Sequence, residues 1–157
     1  MLKPTALFEW SGLSELLGCR YFVKHENHQP VGAFKIRGGI NLVSTLTDKE
    51  RAAGILGCST GNHGQSLAYA ANKFGVECTI VVPVGTNPGK CAAIRRLGAK
   101  LIEHGLDFDE ARTYVHTVAG ADCVGCQDQI DQEEEHSGLV GSPEFAKRTC
   151  LPGHDQA

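Results

Sequence analysis

A single lysine among glycines and apolar residues is the first feature of the sequence that could do chemistry. Lys35 lies within residues 31–39, just after Pro30 and at the point where a helical pattern begins. The positive end of a helix dipole and apolar neighbours such as Phe34 and Ile36 both disfavour an ammonium charge. An amine that gives up its proton can attack a carbonyl group and form a Schiff base. The alternative, for a lysine taken alone, is a surface residue at a helix start.

A second candidate site is the stretch of residues 59–65, which reads Ser-Thr-Gly-Asn-His-Gly-Gln. It follows an apolar run and opens a helical pattern, so several backbone N–H groups are left unpaired where a carboxylate could bind. Gly61 and Gly64 allow close approach of the backbone, and the Asn62 amide can hydrogen-bond an oxygen. The alternative is a helix cap without further function, since Ser, Thr and Asn are preferred caps.

Alternating apolar runs and helical periods predict the elements that hold these two stretches. Helices are predicted at residues 34–46, 62–74, 88–97 and 108–118, and strands at residues 21–23, 55–59, 78–83 and 100–103. Residues 1–18 hold an amphipathic helical segment, and residues 48–50 are predicted to form a polar turn. Strand–helix alternation with short connections predicts the α/β class, with an open, mainly parallel twisted sheet covered by helices on both faces. Ligands of such sheets bind beyond the carboxyl ends of the strands, where residues 59–65 are expected.

Charge, apolar runs and cysteine count exclude several classes of function. The chain has 157 residues, enough for one domain, and carries 15 basic and 18 acidic residues that form no basic patch. We therefore expect no nucleic-acid partner. No apolar run approaches the ~18 residues of a membrane helix, and no signal peptide is visible, so we expect no membrane association. Seven cysteines, an odd number, argue against a disulfide framework and predict a reducing, cytoplasmic compartment.

The segment from residue 121 to residue 157 departs from the strand–helix rhythm. It is polar, has no apolar period, and is predicted to be loop or disordered. Five of its side chains are zinc-ligand types: Cys123, Cys126, His136, Cys150 and His154. Their spacing fits no zinc-finger pattern, so we predict no metal site.

Taken together, residues 32–38 and 59–65 resemble the threonine/serine dehydratase group of pyridoxal-phosphate enzymes, whose fold is shared with serine racemase and the tryptophan synthase β chain. Further matching motifs surround them, at residues 24–27, 81–83, 87–90, 97–100 and 104–111. The resemblance covers about residues 4 to 120, in order and at the family's spacing. It implies that residues 1–120 are the N-terminal α/β region of a two-domain enzyme whose second domain is missing here.

The resemblance implies roles for residues on both sides of the cofactor, pyridoxal 5'-phosphate. Lys35 matches the lysine that holds the cofactor as a Schiff base and moves protons at the substrate's α-carbon. Phe34 matches the aromatic residue beside the cofactor ring, and Asn62 matches the asparagine that hydrogen-bonds the ring hydroxyl. The loop that binds the substrate carboxylate is matched by Ser59, Thr60, Gly61, Asn62 and His63.

Two of the loop residues leave alternatives open. Thr60 stands where many relatives have alanine or serine, and a serine at this place is a second acid/base in serine racemase, so racemase chemistry stays open. His63 is expected to make structural hydrogen bonds within the loop and not to act as a base.

The implied activity is elimination of the β-hydroxyl group of threonine or serine, giving a 2-oxo acid and ammonia. The sequence also departs from the family, because no glycine cluster follows Gly64 to cradle the cofactor phosphate, and no partner for the pyridine nitrogen is visible. We therefore expect weak cofactor binding and impaired activity of this chain. Alternatives are another β-elimination, β-replacement or racemisation enzyme, or a non-catalytic truncated paralogue. The expected partners are a small amino-acid substrate and either a second copy of the chain or a full-length relative.

Overall fold

A parallel sheet with helices on both faces forms the centre of the computed structural model, which describes residues 2–119. The strands and helices follow one another in the order β1 (Leu7–Glu9), α1 (Ser11–Leu17), β2 (Phe22–Lys24), a 3₁₀ turn (Glu26–His28), α2 (Lys35–Ser44), α3 (Asp48–Ala53), β3 (Ile55–Cys58), α4 (Asn62–Phe74), β4 (Cys78–Val82), α5 (Pro88–Arg96), β5 (Lys100–Glu103) and α6 (Phe108–Val118).

The parallel sheet has the strand order β3-β4-β5, with its central strand covered on both faces. Side chains of a strand point alternately to opposite faces, so a strand buried on both faces needs a continuous apolar run. Ile80 and Val82 pack into the larger core, to which α2, α4 and α5 contribute, while Val81 packs into a second core beneath α6. The predicted α/β class and the helices on both faces are therefore confirmed.

Helix α4 has the predicted bounds, and its C-terminal end carries a strong local signal. Leu67, Ala70 and Ala71 recur at helical spacing and are almost completely buried. Gly75 ends the helix in the left-handed conformation, with φ 69° and ψ 32°, which only glycine adopts at little cost. The beginning of α4 thus lies directly beyond the carboxyl end of β3.

Helix α2 packs along α4 more extensively than any other two elements pack together. Ile36 and Val43 on its inner face are fully buried, as the helical period predicts. The helix ends at Ser44, slightly before the predicted end. This packing brings the N-terminus of α2 next to that of α4, which sets the geometry of the candidate site.

The N-terminal segment forms a small antiparallel pair of strands, β1 and β2. The sequence predicts the second of these strands and a helical segment before it, but not β1. The 3₁₀ turn that follows is tied to α2, since the Glu26 carboxylate accepts two hydrogen bonds from the Arg37 guanidinium, both 2.8 Å long. Together with the Thr5 hydroxyl, which also donates to it, Arg37 lowers the pKa of Glu26 to about 2.

The polar turn predicted at residues 48–50 is wrong, because these residues begin the helix α3. A capping box drives the helix: the Glu50 N–H donates to the Thr47 hydroxyl, and the Thr47 N–H donates to the Glu50 carboxylate at 2.7 Å. The helix is rich in charged residues and therefore shows no apolar periodicity, but the Thr-x-x-Glu spacing is a recognised helix start.

The described part of the chain can be searched for membrane-spanning helices and for metal sites. Between residues 2 and 119 no helix has the length and apolar character needed to cross a bilayer. The same residues hold no group of three or more His, Cys, Asp or Glu side chains that could bind a metal ion. Cys58 and Cys78 are buried and form no disulfide, and burial raises the pKa of Cys78 to about 12. The predicted loop at residues 121–157 and the zinc alternative built on Cys123, Cys126, His136, Cys150 and His154 lie outside the described residues.

Candidate functional site

A cavity of about 250 Å³ opens where the N-termini of α2 and α4 meet, beyond the carboxyl end of β3. All seven residues that the sequence nominates for a site line it, together with two that it does not. The lining residues are Phe34, Lys35, Cys58, Ser59, Thr60, Gly61, Asn62, His63 and Phe108. Two stretches separated by more than twenty positions in the sequence therefore contribute to one cavity.

Lys35 is the first residue of α2, and its side chain is half-buried. Its Nζ lies 5.6 Å from the centroid of the Phe34 ring, which is itself 60% exposed. Among the residues of the described range no carboxylate pairs with this amine. The amine is thus available to a ligand within the cavity instead of being held in an ion pair.

The backbone of Lys35 is fixed by helix α4. Its carbonyl oxygen accepts a hydrogen bond of 2.6 Å from the hydroxyl of Ser66, which is completely buried. A main-chain carbonyl has two lone pairs, so it can accept this bond in addition to one from its own helix. The base of the lysine side chain is therefore attached to the helix that also carries Asn62.

The loop at residues 59–61 is shaped by the Ser59 hydroxyl. This buried oxygen accepts hydrogen bonds from the N–H groups of Gly64, at 2.9 Å, and Gly61, at 3.3 Å. Within the described residues the N–H groups of Asn62 and His63 have no hydrogen-bond partner. These free donors at the positive end of α4 favour an anion, and a carboxylate is suited to them.

The site strongly alters the ionisation of His63. Burial, and to a smaller extent the positive charge of Lys35, lowers the pKa of His63 to about 4. The imidazole is therefore neutral near pH 7, where so weak a base accepts few protons. Its Nε2 atom is buried and has no hydrogen-bond partner in the described structure, so it is free to bond a ligand. This nitrogen therefore does not make the expected structural hydrogen bond within the loop, and the role of His63 stays a prediction.

Cys58 and Phe108 are the lining residues that the sequence analysis does not nominate. Cys58 ends β3, and Phe108 begins α6 after the loop that leaves β5. Both follow the rule that binding residues in a parallel sheet gather at the carboxyl ends of strands. That rule points to the connection after β5, but it does not say which side chain of the connection reaches the cavity.

A second cavity, of about 260 Å³, lies at the opposite edge of the sheet. It is lined by the C-terminal end of α4 and the beginnings of β4 and β5, including Cys78 and Lys100. It therefore adjoins the amino ends of the strands, the edge at which parallel sheets do not usually bind ligands. The cavity that holds Lys35 and Asn62 is accordingly the candidate site.

Comparison with known proteins bears on the family and the fold of the chain. Over 153 residues the chain is 42% identical to the mitochondrial threonine dehydratase of Saccharomyces cerevisiae, an alignment that covers 98% of this chain and 24% of that protein. Among solved structures it is similar to the processed form of threonine deaminase isoform 2 from Solanum lycopersicum, with a TM-score of 0.71, 34% identity, and 75% of this chain and 32% of that one covered. It is also similar to serine racemase from Dictyostelium discoideum, with a TM-score of 0.68, 32% identity, and 74% and 38% covered.

These matches cover nearly all of this chain or most of it, but only a minor part of each relative. Among eight of the curated relatives that the chain matches, the share of the relative's own length ranges from 19% to 28%. A family model described as "Pyridoxal-phosphate dependent enzyme" matches residues 1–139, whereas the motifs carry the resemblance to about residue 120. On that match and on the fold, the chain belongs to the family of pyridoxal-phosphate-dependent enzymes.

Proposed function

We propose that this chain supplies the part of a threonine/serine dehydratase that holds the cofactor lysine and binds the substrate carboxylate. The complete reaction would convert a β-hydroxy amino acid to a 2-oxo acid and ammonia. The observation that carries the proposal is that Lys35, Asn62 and the unpaired N–H groups of α4 line a single cavity. Because the chain covers at most 28% of the length of the curated relatives compared above, the activity of a whole enzyme is itself part of the proposal.

The residues of the cavity fit the aldehyde and ring-hydroxyl side of pyridoxal 5'-phosphate. Lys35 offers an amine without a carboxylate partner in the described residues, and Asn62 contributes an exposed amide to the same lining. The Phe34 ring offers an apolar surface at the mouth of the cavity. We infer that Lys35 would hold the cofactor and Asn62 would hydrogen-bond its ring hydroxyl. When bound, the cofactor supplies an electron sink for the bonds that break at the substrate's α- and β-carbons.

The substrate's carboxylate would bind at the start of α4. There the N–H groups of Asn62 and His63 are unpaired in the described structure, and the helix dipole adds a partial positive charge. The Ser59 hydroxyl oxygen accepts hydrogen bonds from two backbone N–H groups, and its own hydrogen remains available to donate. Ser59 therefore both shapes the loop and can hydrogen-bond the carboxylate, while Thr60 and Gly61 complete its lining.

Lys35 is the residue that we assign to proton transfer at the α-carbon. A carboxylate anchored at α4 would place the α-carbon close to the lysine, since both groups line one cavity of about 250 Å³. His63 is unsuited to that step near pH 7, because its pKa of about 4 leaves it neutral and weakly basic. Its unpartnered Nε2 atom is better suited to orienting the substrate or cofactor through a hydrogen bond.

Serine racemase-type chemistry is the second candidate. Racemisation needs a second acid/base group besides the lysine, and Thr60 places a hydroxyl in the cavity lining. The similarity to a solved serine racemase supports keeping it. Product analysis with L-serine separates the two reactions, because racemisation yields D-serine, whereas dehydration yields pyruvate and ammonia. A Thr60→Ala change should suppress the first product and spare the second.

The cofactor lysine can be identified by trapping. We expect that incubating the purified 157-residue chain with pyridoxal 5'-phosphate and reducing with borohydride labels Lys35 ahead of every other lysine. Lys35→Met should abolish the preferred label, whereas Lys73→Ala, which removes an exposed lysine at the other end of α4, should retain it. Labelling spread evenly over surface lysines would overturn the assignment of Lys35.

We further infer that the isolated chain binds the cofactor weakly and is impaired, since its sequence has no glycine cluster after Gly64 that could bind the phosphate. Deamination of threonine by the isolated chain at a rate typical of an enzyme, on the order of 10 per second, would contradict this inference. We also propose that the chain pairs with a second copy or with a full-length relative. The odd number of cysteines, which argues against a disulfide framework, suggests a cytoplasmic location.

A further inference from the structure

Helices α2 and α4 approach each other closely at Gly39 and Ser66, which are both buried. A Cβ atom built on Gly39 would lie 2.3 Å from the Ser66 hydroxyl oxygen and 2.7 Å from the Ser66 carbonyl oxygen. Distances below about 3 Å are not tolerated between such atoms, and the carbonyl belongs to the backbone of α4, which cannot rotate away. Only glycine at position 39 therefore permits the observed separation of the helices.

Ser66 uses this close approach to reach across to Lys35. Its hydroxyl donates a 2.6 Å hydrogen bond to the Lys35 carbonyl, and the side chain is fully buried. A side chain on Gly39 would occupy the space through which this bond passes, since the same hydroxyl oxygen lies nearest to the added Cβ. The absence of a side chain at Gly39 is therefore what leaves room for the Ser66 hydrogen bond.

The contact lies one helical turn below the two residues that face the cavity. Gly39 follows Lys35 by four positions in α2, and Ser66 follows Asn62 by four positions in α4. Residues four apart share a helix face, and one turn rises about 5.4 Å. The separation of the helices at Gly39 and Ser66 therefore controls the separation of Lys35 and Asn62 at the cavity.

We propose that Ser66 is a positioning residue that acts through the Lys35 backbone, with Gly39 as its steric partner. The pair sets where the lysine amine stands relative to the Asn62 amide. The inference rests on the proposed function in one respect, that Lys35 is the residue that reacts with the cofactor aldehyde. Ser66 itself touches neither cofactor nor substrate, as it is absent from the cavity lining.

The test uses Ser66→Ala in the 157-residue chain, with Ser44→Ala as the matched control. Ser44 also donates its hydroxyl to a backbone carbonyl of α2, that of Asn41 at 2.8 Å, but at the other end of the helix. Pyridoxal 5'-phosphate and borohydride are applied to each variant, and labelling of Lys35 is measured relative to exposed Lys73 in the same molecules. We expect Ser66→Ala to lower this ratio about three- to ten-fold, and Ser44→Ala to leave it unchanged.

Partial unfolding would also lower the ratio, because the two lysines of an unfolded chain are labelled evenly. The folded fraction of each variant is therefore measured by urea unfolding, and labelling is compared under conditions in which the parent chain and the variant are both folded. Gly39→Ala should lower the ratio at least as far as Ser66→Ala, because the added methyl group meets the backbone oxygen of Ser66 as well as its hydroxyl. A Ser66→Ala ratio equal to that of the parent chain would overturn the positioning role.

Hydrogen exchange without added cofactor tests the contact independently of the assignment of Lys35. We expect several-fold faster exchange in the first turn of α2 in Ser66→Ala, with exchange at the centre of α4 near the parent value. If Lys35 is not favoured for labelling in the parent chain, the proposed function fails while this result still decides the positioning inference. Unchanged exchange in the first turn of α2 would overturn that inference even if Lys35 is labelled.

Discussion

The low pKa of His63 predicts a pH dependence of stability that can be assigned to one side chain. In the folded chain burial and the Lys35 charge lower this pKa from 6.5 to about 4. Between these two pH values the unfolded chain binds a proton at His63 that the folded chain does not bind. The free energy of unfolding must therefore increase as the pH rises from about 4 to about 6.5.

The size of the effect follows from the difference between the two pKa values. About 2.5 pKa units correspond to roughly 3 kcal/mol, since one unit is worth about 1.4 kcal/mol. Below pH 4 the His63 effect lowers the free energy of unfolding by its full amount, about 3 kcal/mol, and above pH 6.5 it no longer lowers it. A domain of this size has a total stability of about 5–15 kcal/mol, so such a loss is easily measured.

The assay is urea unfolding of the parent chain and of His63→Gln at intervals between pH 4 and pH 7.5. Carboxylates also titrate in this range, so the informative quantity is the difference between the two profiles. We expect His63→Gln to remove most of the rise between pH 4 and 6.5. The control His28→Gln, which replaces an exposed imidazole, should retain it.

A nuclear magnetic resonance titration of the histidine rings separates the two causes of the low pKa. Lys35→Met removes the neighbouring positive charge, so the pKa of His63 should rise part of the way toward 6.5. Burial is the larger cause and should keep it below that value. Titration of His63 near pH 6.5 in the folded parent chain would refute the burial argument. An unchanged pKa in Lys35→Met would refute the electrostatic proximity of the two residues.

Three further predictions concern the scaffold of the site. Leu67→Ala removes a fully buried side chain of α4 and should cost about 2–5 kcal/mol in urea unfolding; a cost below 1 kcal/mol would contradict its core position. Thr47→Ala breaks the capping box with Glu50 and should cost about 0.5–2 kcal/mol, with faster hydrogen exchange confined to α3; unchanged exchange there would count against the cap. Hydrogen bonds from Arg37 and Thr5 lower the pKa of Glu26 to about 2, so they stabilise the fold above about pH 4.5 and cease to do so as the pH falls toward 2. Arg37→Gln should therefore reduce the loss of unfolding free energy in that pH window. An unchanged dependence on pH would contradict the ion pair.

Local signals were sufficient to predict most elements of the central sheet. The bounds of α4 and α6 match the sequence prediction because each helix has a strong signal at its start or end. Gly75 ends the first, and the Asp107 carboxylate accepts from the Glu110 N–H at the start of the second. The continuous apolar run of β4 likewise identifies a strand buried on both faces.

Elements that depend on distant partners could not be predicted in this way. Strand β1 has only three residues, all exposed, and it is a strand because it pairs with β2. The roles of Gly39 and Ser66 are equally invisible in the sequence, since they arise from the crossing of two helices. The motifs identify Lys35 and Asn62 as candidate residues, but only the packing of α2 on α4 brings them to one cavity.

The charge balance of the cavity gives a physical reason for this arrangement. Two helix N-termini meet there, each equivalent to roughly half a positive charge, and Lys35 adds a full one. The described residues that line the cavity include no Asp or Glu, so an anionic ligand would meet no opposing charge from them. A protonated His63 would add a further positive charge beside Lys35, and burial keeps that histidine neutral at pH 7. A ligand that carries a carboxylate or phosphate together with a carbonyl would therefore find both its charge and its reactive carbon matched, whereas a purely cationic ligand would be repelled.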